Sequence, residues 1–442
     1  MHKYYTSADG KTLYQVPKEH RGKLIISDGI EVIAKRALAN CKYITEVELP
    51  YSLLEIGMEA FRGCSSLTRI EIPCGVQKIP DKCFMGCENL TEVVLPEGVE
   101  YVGYESFGWC SSLSNIHLPD TLREIGEEAF LVCNSLTTVQ LGPGLERIRS
   151  YAFQNSGINT LRLGASNKTI QFDYMVFWDT PIQHIEVDPH NTVYVDAGCD
   201  VIMEKRTGNV ICGSLNSTIP NTARVISHDA FGVTPQEFIV PSSVKRIENS
   251  AFNCKGCKII RLSEGVEAIE ICAFQSGYPS EPTTVYIPSS VHEIQEQLST
   301  IIFQLSKDNK YYYYDEDGQN IISRDGKLVW GRLLKGIPTD GVKELHVTIN
   351  DELGYSDLII PANVKYVSSG IFGADCTFFE KIIVNKGTII AFPDDWESDC
   401  EILVIELSKS LLTGENNPVK YKIYPQGTTT EELKKALSLV YS

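Results

Sequence analysis

Two cysteines come closest to a chemical motif. Cys254 and Cys257 have the C-x-x-C spacing that serves dithiol redox chemistry and half of a zinc site. Redox use wants the pair opening a helix in a strand–helix–strand unit, and zinc wants two further ligands nearby. The surrounding sequence supplies neither. Cys254 follows Ala251-Phe252, and Cys257 takes a slot filled by leucine elsewhere, so packing accounts for both. The run Asp315-x-Asp317-Gly318-x-Asn320 spaces its oxygens like half a calcium loop. Its twelfth position is Gly326, however, not the glutamate that closes such a loop, and a hairpin turn is the better reading. Asp394, Asp395, Glu397 and Asp399 read as a solvated loop. The eight histidines form no H-E-x-x-H pair, and no G-x-S-x-G elbow or phosphate-binding glycine loop appears. The expectation is a chain with no catalytic residue, cofactor or metal. A thiol or metal protein built on Cys254 and Cys257 is the lesser alternative.

The remaining cysteines point elsewhere. Of fourteen, five fall at Cys41, Cys64, Cys87, Cys110 and Cys133, a step of 23 residues held four times. Other columns keep the same step: Leu38, Phe61, Phe84, Phe107, Phe130 and Phe153; Ile33, Ile56, Ile79, Val102, Ile125 and Ile148; Ile44, Leu67, Leu90, Leu113 and Leu136. A fixed period of this length marks a solenoid whose coils stack on their neighbours. A shared column places the cysteines in one buried layer, as free packing thiols.

One coil shows the mechanics. Ile70-Glu71-Ile72 alternates as a half-buried strand does, and Pro73 stops it, as Pro50, Pro96 and Pro119 stop theirs. Gly57, Gly103 and Gly126 mark a bend where a free φ is useful. The segment from Met58 to Cys64 suits a short helical turn with Phe61 pointing inward. The pattern stands most cleanly in LPDTLREIGEEAFLVCNSLTTVQL, residues 118–141. It resembles the BspA-type leucine-rich repeat family, mostly bacterial surface or secreted proteins that bind other proteins, including host matrix components. That resemblance implies an α/β repeat solenoid: a curved leucine-rich-repeat array with a parallel β-sheet on the concave face.

The expected organisation has five parts. Residues 1–23 form an N-terminal hairpin cap around Asp9-Gly10, and residues 24–189 a first repeat block whose ladder cysteine gives way to Ser156. Residues 190–308 are a hairpin joint plus a second block, with Ala230-Phe231, Ala251-Phe252 and Ala273-Phe274. Residues 309–427 are a second joint plus a degenerate block, with Ile371-Phe372, and residues 428–442 a C-terminal helical cap opened by Thr429 and Glu432.

Forty basic against 57 acidic side chains give a formal charge of −17, and no dense basic run appears. An acidic surface repels phosphate backbones, which argues against nucleic acid. No run is long and apolar enough to span a bilayer, and the first residues carry no leader-like apolar segment. As written the chain reads as cytoplasmic; a removed leader would make it secreted or surface-bound, as the resemblance implies.

What an array supplies is a surface. Down the strand face one outward column reads Glu48, Glu71, Val94, His117, Gln140, Arg162. The column two residues before reads Glu46, Arg69, Glu92, Asn115, Thr138, Thr160, beside a row of Thr45, Thr68, Thr91, Ser114 and Thr137. Glu48 and Glu71 would repel mildly, a cost that a basic partner relieves. Tyr311, Tyr312, Tyr313 and Tyr314 cannot all face one side of a strand, so about two should be exposed or packed on a neighbour, and Phe378-Phe379 and Trp396 could join them in a partner contact. The candidate partner-binding residues are therefore Glu46, Glu48, Arg69, Glu71, Glu92, His117, Gln140, Arg162 and the four tyrosines. The function expected is a non-catalytic scaffold for a protein partner, host or cell-surface protein included, with carbohydrate binding by the tyrosine joint as the alternative.

Overall fold

A computed structural model describes residues 4–253 without a break, then 257–275, 283–295, 301–316, 318, 320–331, 337, 341–346, 357–361, 363–368, 381–385, 388–390, 401–406 and 420–424. The chain divides into two compact units, Met1–Phe238 with Ala251–Lys255, and Ile239–Ser250 with Gly256–Ser442.

In the first unit each 23-residue coil contributes one longer and one shorter strand. The longer strands Gly22–Ile25, Ile44–Glu48, Arg69–Glu71, Glu92–Val94 and Asn115–His117 pair in parallel, and Thr138–Leu141, Thr160–Leu163 and His184–Val187 continue the pattern. The register is the repeat itself: Arg69 lies opposite Glu92, and Ile70 opposite Val93. Two-residue strands also pair in parallel, Val32–Ile33 with Glu55–Ile56 in one sheet and Lys78–Ile79 through Gln171–Phe172 in another. The N-terminal hairpin is present, with Tyr5–Thr6 antiparallel to Thr12–Gln15, which then joins Val32–Ile33 in parallel.

The expected helical turns are not found: no described residue is helical. The segment from Met58 to Cys64 and its equivalents instead carry a third ladder between coils. The amides of Arg36, Leu38 and Asn40 donate to the carbonyls of Met58, Ala60 and Arg62 on the next coil. Those of Ala37, Ala39 and Cys41 close tight turns onto Ala34, Arg36 and Leu38. This alternation needs left-handed residues, found at Arg36 and Asn40, Glu59 and Gly63, Lys82 and Gly86, Glu105 and Trp109, and Glu128 and Val132. A left-handed residue cannot extend a right-handed helix, and amides bonded to a neighbouring coil are lost to any bond four residues back.

The glycine expectation changes with it. Gly57, Gly103 and Gly126 are not left-handed; a Cβ on them would lie 2.4, 2.6 and 2.6 Å from backbone atoms of the preceding coil. They permit close approach rather than a turn.

Inside this frame the core is a set of vertical columns. Phe61, Phe84, Phe107, Phe130, Phe153 and Phe177 stack with centroids 5.0–5.5 Å apart and rings within 14° of parallel. The array therefore passes Ser156 without interruption, because Phe177 and the strand His184–Val187 extend both columns. The first joint is a three-stranded meander, Tyr194–Val195, Val201–Glu204 and Asn209–Gly213, whose last strand pairs in parallel with Val225–Ile226.

The second unit repeats this design. Arg246–Ile247, Ala268–Ile269 and Glu293–Ile294 form the short ladder, and Ile259–Leu262, Thr284–Ile287 and Ile302–Leu305 the long one. A second meander follows, Tyr312–Tyr314, Asn320–Ser323 and Lys327–Gly331, and Glu344–Leu345 resumes the parallel ladder. Asp357–Ile359, Lys381–Asn385 and Glu401–Glu406 are further parallel strands. Ile371-Phe372 and the C-terminal helical cap at residues 428–442 lie outside the described residues.

Phe107 is fully buried between two stacked rings, so Phe107→Ala should cost about 3–5 kcal/mol in chemical denaturation. Phe107→Leu should cost much less, because Leu38 already fills that column at the first coil.

Candidate recognition face

The outward columns of the long strands are where the sequence reading placed them. Glu46, Glu48, Arg69, Glu71, His117, Gln140 and Arg162 are exposed, and Glu92 is half-buried. Strand alternation decides this: Val47, Ile70, Val93, Val139 and Leu161 point inward from the same strands and are buried.

The electrostatics differ from expectation. The chain answers its own glutamates: Lys23 Nζ lies 3.0 Å from Glu46 and 3.1 Å from Glu48. Arg69 Nε donates to Glu92 at 2.7 Å, and its guanidinium is 3.8 Å from Glu71. Asn115 Nδ2 donates to Glu92 at 3.2 Å. Farther along, Arg162 grips Glu186 at 2.8 and 3.4 Å, and His184 Nδ1 lies 3.6 Å from Asp200. Exposed pairs like these add little stability, but they hold long side chains in fixed places. Lys23 and Glu186 were missed by the sequence reading; opposite charges one repeat apart were the available signal.

The threonine row is structural. Thr68, Thr91 and Ser114 each donate a hydroxyl to the carbonyl one repeat back, at 3.1, 2.9 and 3.3 Å.

The four tyrosines split in two. Tyr312 is buried; its hydroxyl accepts from the Ile294 amide at 2.7 Å and lies 3.3 Å from the His292 carbonyl, and burial pushes the phenol up to about 12. Tyr314 uses its hydroxyl on Leu305 and Phe303 at 2.8 and 2.9 Å. Tyr311 is exposed, and Arg324 lies over the ring of Tyr313 at 4.9 Å. The first joint holds the counterpart: Tyr194 bonds Ile170, and Asn191 takes the amides of Val193 and Tyr194, as Asn309 takes those of Tyr311 and Tyr312. An Asn-x-x-Tyr spacing at residues 191–194 and 309–312 was the overlooked signal. Phe378-Phe379 and Trp396 lie outside the described residues.

The chemical candidates are placed as follows. Cys254 lies outside the described residues, and Cys257 is buried with its thiol donating to the Ile259 carbonyl at 3.6 Å. Asp315 spends its carboxylate on the backbone amide and side chain of Asn320, as a hairpin turn requires; Asp317, Asp394, Asp395, Glu397 and Asp399 are not described. The ladder cysteines are free and buried, and each donates its thiol across a coil: Cys64 to Leu38, Cys87 to Phe61, Cys110 to Phe84 and Cys133 to Phe107, at 3.1–3.2 Å. Thr180 makes the same bond to Phe153 at 2.7 Å. Burial raises these thiols, Cys110 to about 12 and Cys41 to about 11, so thiolate is scarce.

The turn ladder holds a second charged column. Arg36 pairs with Glu59 at 2.8 Å and keeps that carboxyl below its ordinary value. Lys82 lies 2.9 Å from the buried Glu105, whose other oxygen accepts from Tyr104 at 3.0 Å. Burial pushes Glu105 up, but Lys82 and hydrogen bonds from Glu128 and Tyr104 leave it lowered. Glu128, on the next coil, is raised by burial and by its hydrogen bond to Glu105. Of the two carboxyls, Glu128 is therefore the one that holds a proton more tightly.

A parallel, helix-free ladder of 23-residue coils with buried, mostly apolar inner columns and a varied outer face defines a leucine-rich-repeat solenoid. The chain belongs to the BspA-type leucine-rich repeat family: the BspA type leucine rich repeat region matches residues 20–111, 102–198 and 211–304, in six copies. Among solved structures it is similar to a leucine-rich cell surface protein of Faecalibacterium prausnitzii, at 20% identity and TM-score 0.47 over 87% of each chain. It is similar also to a leucine-rich repeat protein of Bacteroides ovatus, at 17% identity and TM-score 0.43, over 88% of this chain and 98% of that one. The leucine-rich repeat protein of T. pallidum is 28% identical with TM-score 0.36, over 40% of this chain and 85% of its own. No curated protein sequence matches. No described helix is long and apolar enough to cross a membrane.

Two outcomes follow from these environments. Brief alkylation of the native protein should label the exposed Cys74 at once and leave Cys64, Cys87, Cys110 and Cys133 unlabelled until unfolding, as peptide mass spectrometry would show. Glu128 has a folded pKa raised above 4.5, so its contribution is complete at low pH and is lost as pH rises through that value. Glu128→Gln should accordingly raise Tm at about pH 8 and leave it nearly unchanged at about pH 4, where wild-type Glu128 is protonated.

Proposed function

We propose that this chain is a non-catalytic scaffold that recognises a protein partner through the long-strand face of its first unit. One observation carries the reading: inward columns repeat the same residue types, whereas the outward columns vary widely along the stack. Packing requires the first and is indifferent to the second, so the outward variety at Glu48, Glu71, His117, Gln140 and Arg162 supports a selective surface. Ion pairs along the face fix its charged groups before a partner arrives, which lowers the ordering cost of binding. Alternating acidic and basic clusters fit a partner of mixed charge better than the uniformly basic one that two repelling glutamates would have suggested.

Family membership supports the same direction, because leucine-rich repeat scaffolds typically bind proteins. An adhesive role outside the cell is the form this reading takes if the protein is exported. Replacing Glu48, Glu71, His117 and Arg162 together by serine should abolish retention of partners that the wild-type chain retains from a source extract. Tm should fall by only a few degrees, since all four side chains are exposed. Undiminished retention by the folded quadruple variant would refute the assignment of this face.

A further inference from the structure

The second unit carries a groove that the long-strand reading does not use. It measures about 700 Å³, within the range of small-ligand sites, and lies where the short strand Glu293–Ile294 meets the second meander. Tyr312 ties the two together through Ile294 and His292, and its neighbour Tyr311 is left on the groove wall. Tyr311 is 48% exposed, with its ring centroid 5.5 Å from that of His292. Its backbone is held on both sides, its amide by Asn309 Oδ1 and its carbonyl by the Arg324 amide, each at 2.9 Å. The groove thus has an aromatic platform in a fixed position.

The charges on the wall are unevenly matched. Asp325 accepts the Ser323 hydroxyl, Lys327 lies 3.9 Å from Asp325 and 4.0 Å from Glu344, and Glu293 accepts from Gln295 at 3.2 Å. Lys310 and Arg324 also line the groove, and among the described residues neither is paired with a carboxylate; Arg324 rests on the Tyr313 ring. In a chain of charge −17, two such cations beside a platform mark a place for an anionic group.

We propose that this groove binds an acidic oligosaccharide, one sugar ring stacked on Tyr311 and its carboxylate held by Lys310 and Arg324. A pyranose presents an apolar face of axial C–H groups, which suits the electron-rich face of a phenol ring. Its hydroxyls both donate and accept, and the carboxylates and amide of Glu293, Asp325 and Gln295 supply matching groups around the same wall. An apolar peptide side chain fits less well, because the platform is flanked by charged groups.

The test uses the full chain and a panel of uronic-acid and sialylated oligosaccharides, including oligogalacturonate and its methyl ester, followed by calorimetry. The methyl ester keeps the linkage and removes the charge. Saturable binding of an acidic member is expected, weakened by about tenfold or more in its ester where one exists. Tyr311→Ala should abolish it, Tyr311→Trp should retain it, and Lys310→Ala should reduce affinity for the acid without affecting the ester. The quadruple serine variant of the first unit should bind normally, which separates this site from the long-strand face. Absence of binding across the panel would overturn the proposal. So would equal affinity for acid and ester, or unchanged binding by folded Tyr311→Ala.

Discussion

The spacing between coils is the constraint on which everything else rests. Parallel strands hydrogen-bonded to one another lie about 4.8 Å apart, and here three separate ladders impose that distance on each coil. The phenylalanine stack follows, with centroids at 5.0–5.5 Å, a separation at which offset rings attract. So does the reach of each cysteine thiol to a carbonyl one coil back. Gly57, Gly103 and Gly126 are its cost, since their backbones approach the preceding coil too closely for an easy Cβ. Charged side chains one repeat apart become neighbours for the same reason, as Lys23 with Glu46, Arg36 with Glu59 and Arg69 with Glu92.

A stack with such strict spacing must still admit irregular segments. The two meanders manage this by returning to the ladder in register: each begins antiparallel and ends with a strand parallel to the next repeat. An asparagine side chain replaces strand partners for two amides, and a tyrosine hydroxyl meets a backbone amide of the last short rung. The joints thereby expose features the regular coils lack. Tyr311 is on the surface because Tyr312 is committed to the core.

The division between scaffold and surface is therefore physical. Columns facing inward tolerate few residue types, because each layer touches an identical layer above and below. Columns facing outward are free of that demand, and their charges are arranged by neighbours a full repeat away in sequence. Glu105 and Glu128 show the limit of this freedom, where the turn ladder brings two carboxyls together and their affinities for a proton move apart.

The Asp9-Gly10 turn marked the N-terminal hairpin, and period and column identity determined the solenoid, the buried cysteine, phenylalanine and leucine layers, and which strand residues face outward. These are consequences of repetition and of two-residue strand alternation, both local properties of the string. The sequence could not decide the form of the segment from Met58 to Cys64, because an Ala-Phe-x-x-Cys pattern suits a helical turn when only its own hydrogen bonds are counted. The next coil settled it by accepting every second amide. Nor could it foresee that Glu48 and Glu71 are answered by Lys23 and Arg69, or that Tyr312 and Tyr314 bury their hydroxyls while Tyr311 stays in water. Those outcomes depend on partners outside the local strand, such as Lys23 for Glu48, Ile294 for Tyr312 and Leu305 for Tyr314, and only the folded stack brings them within hydrogen-bonding distance.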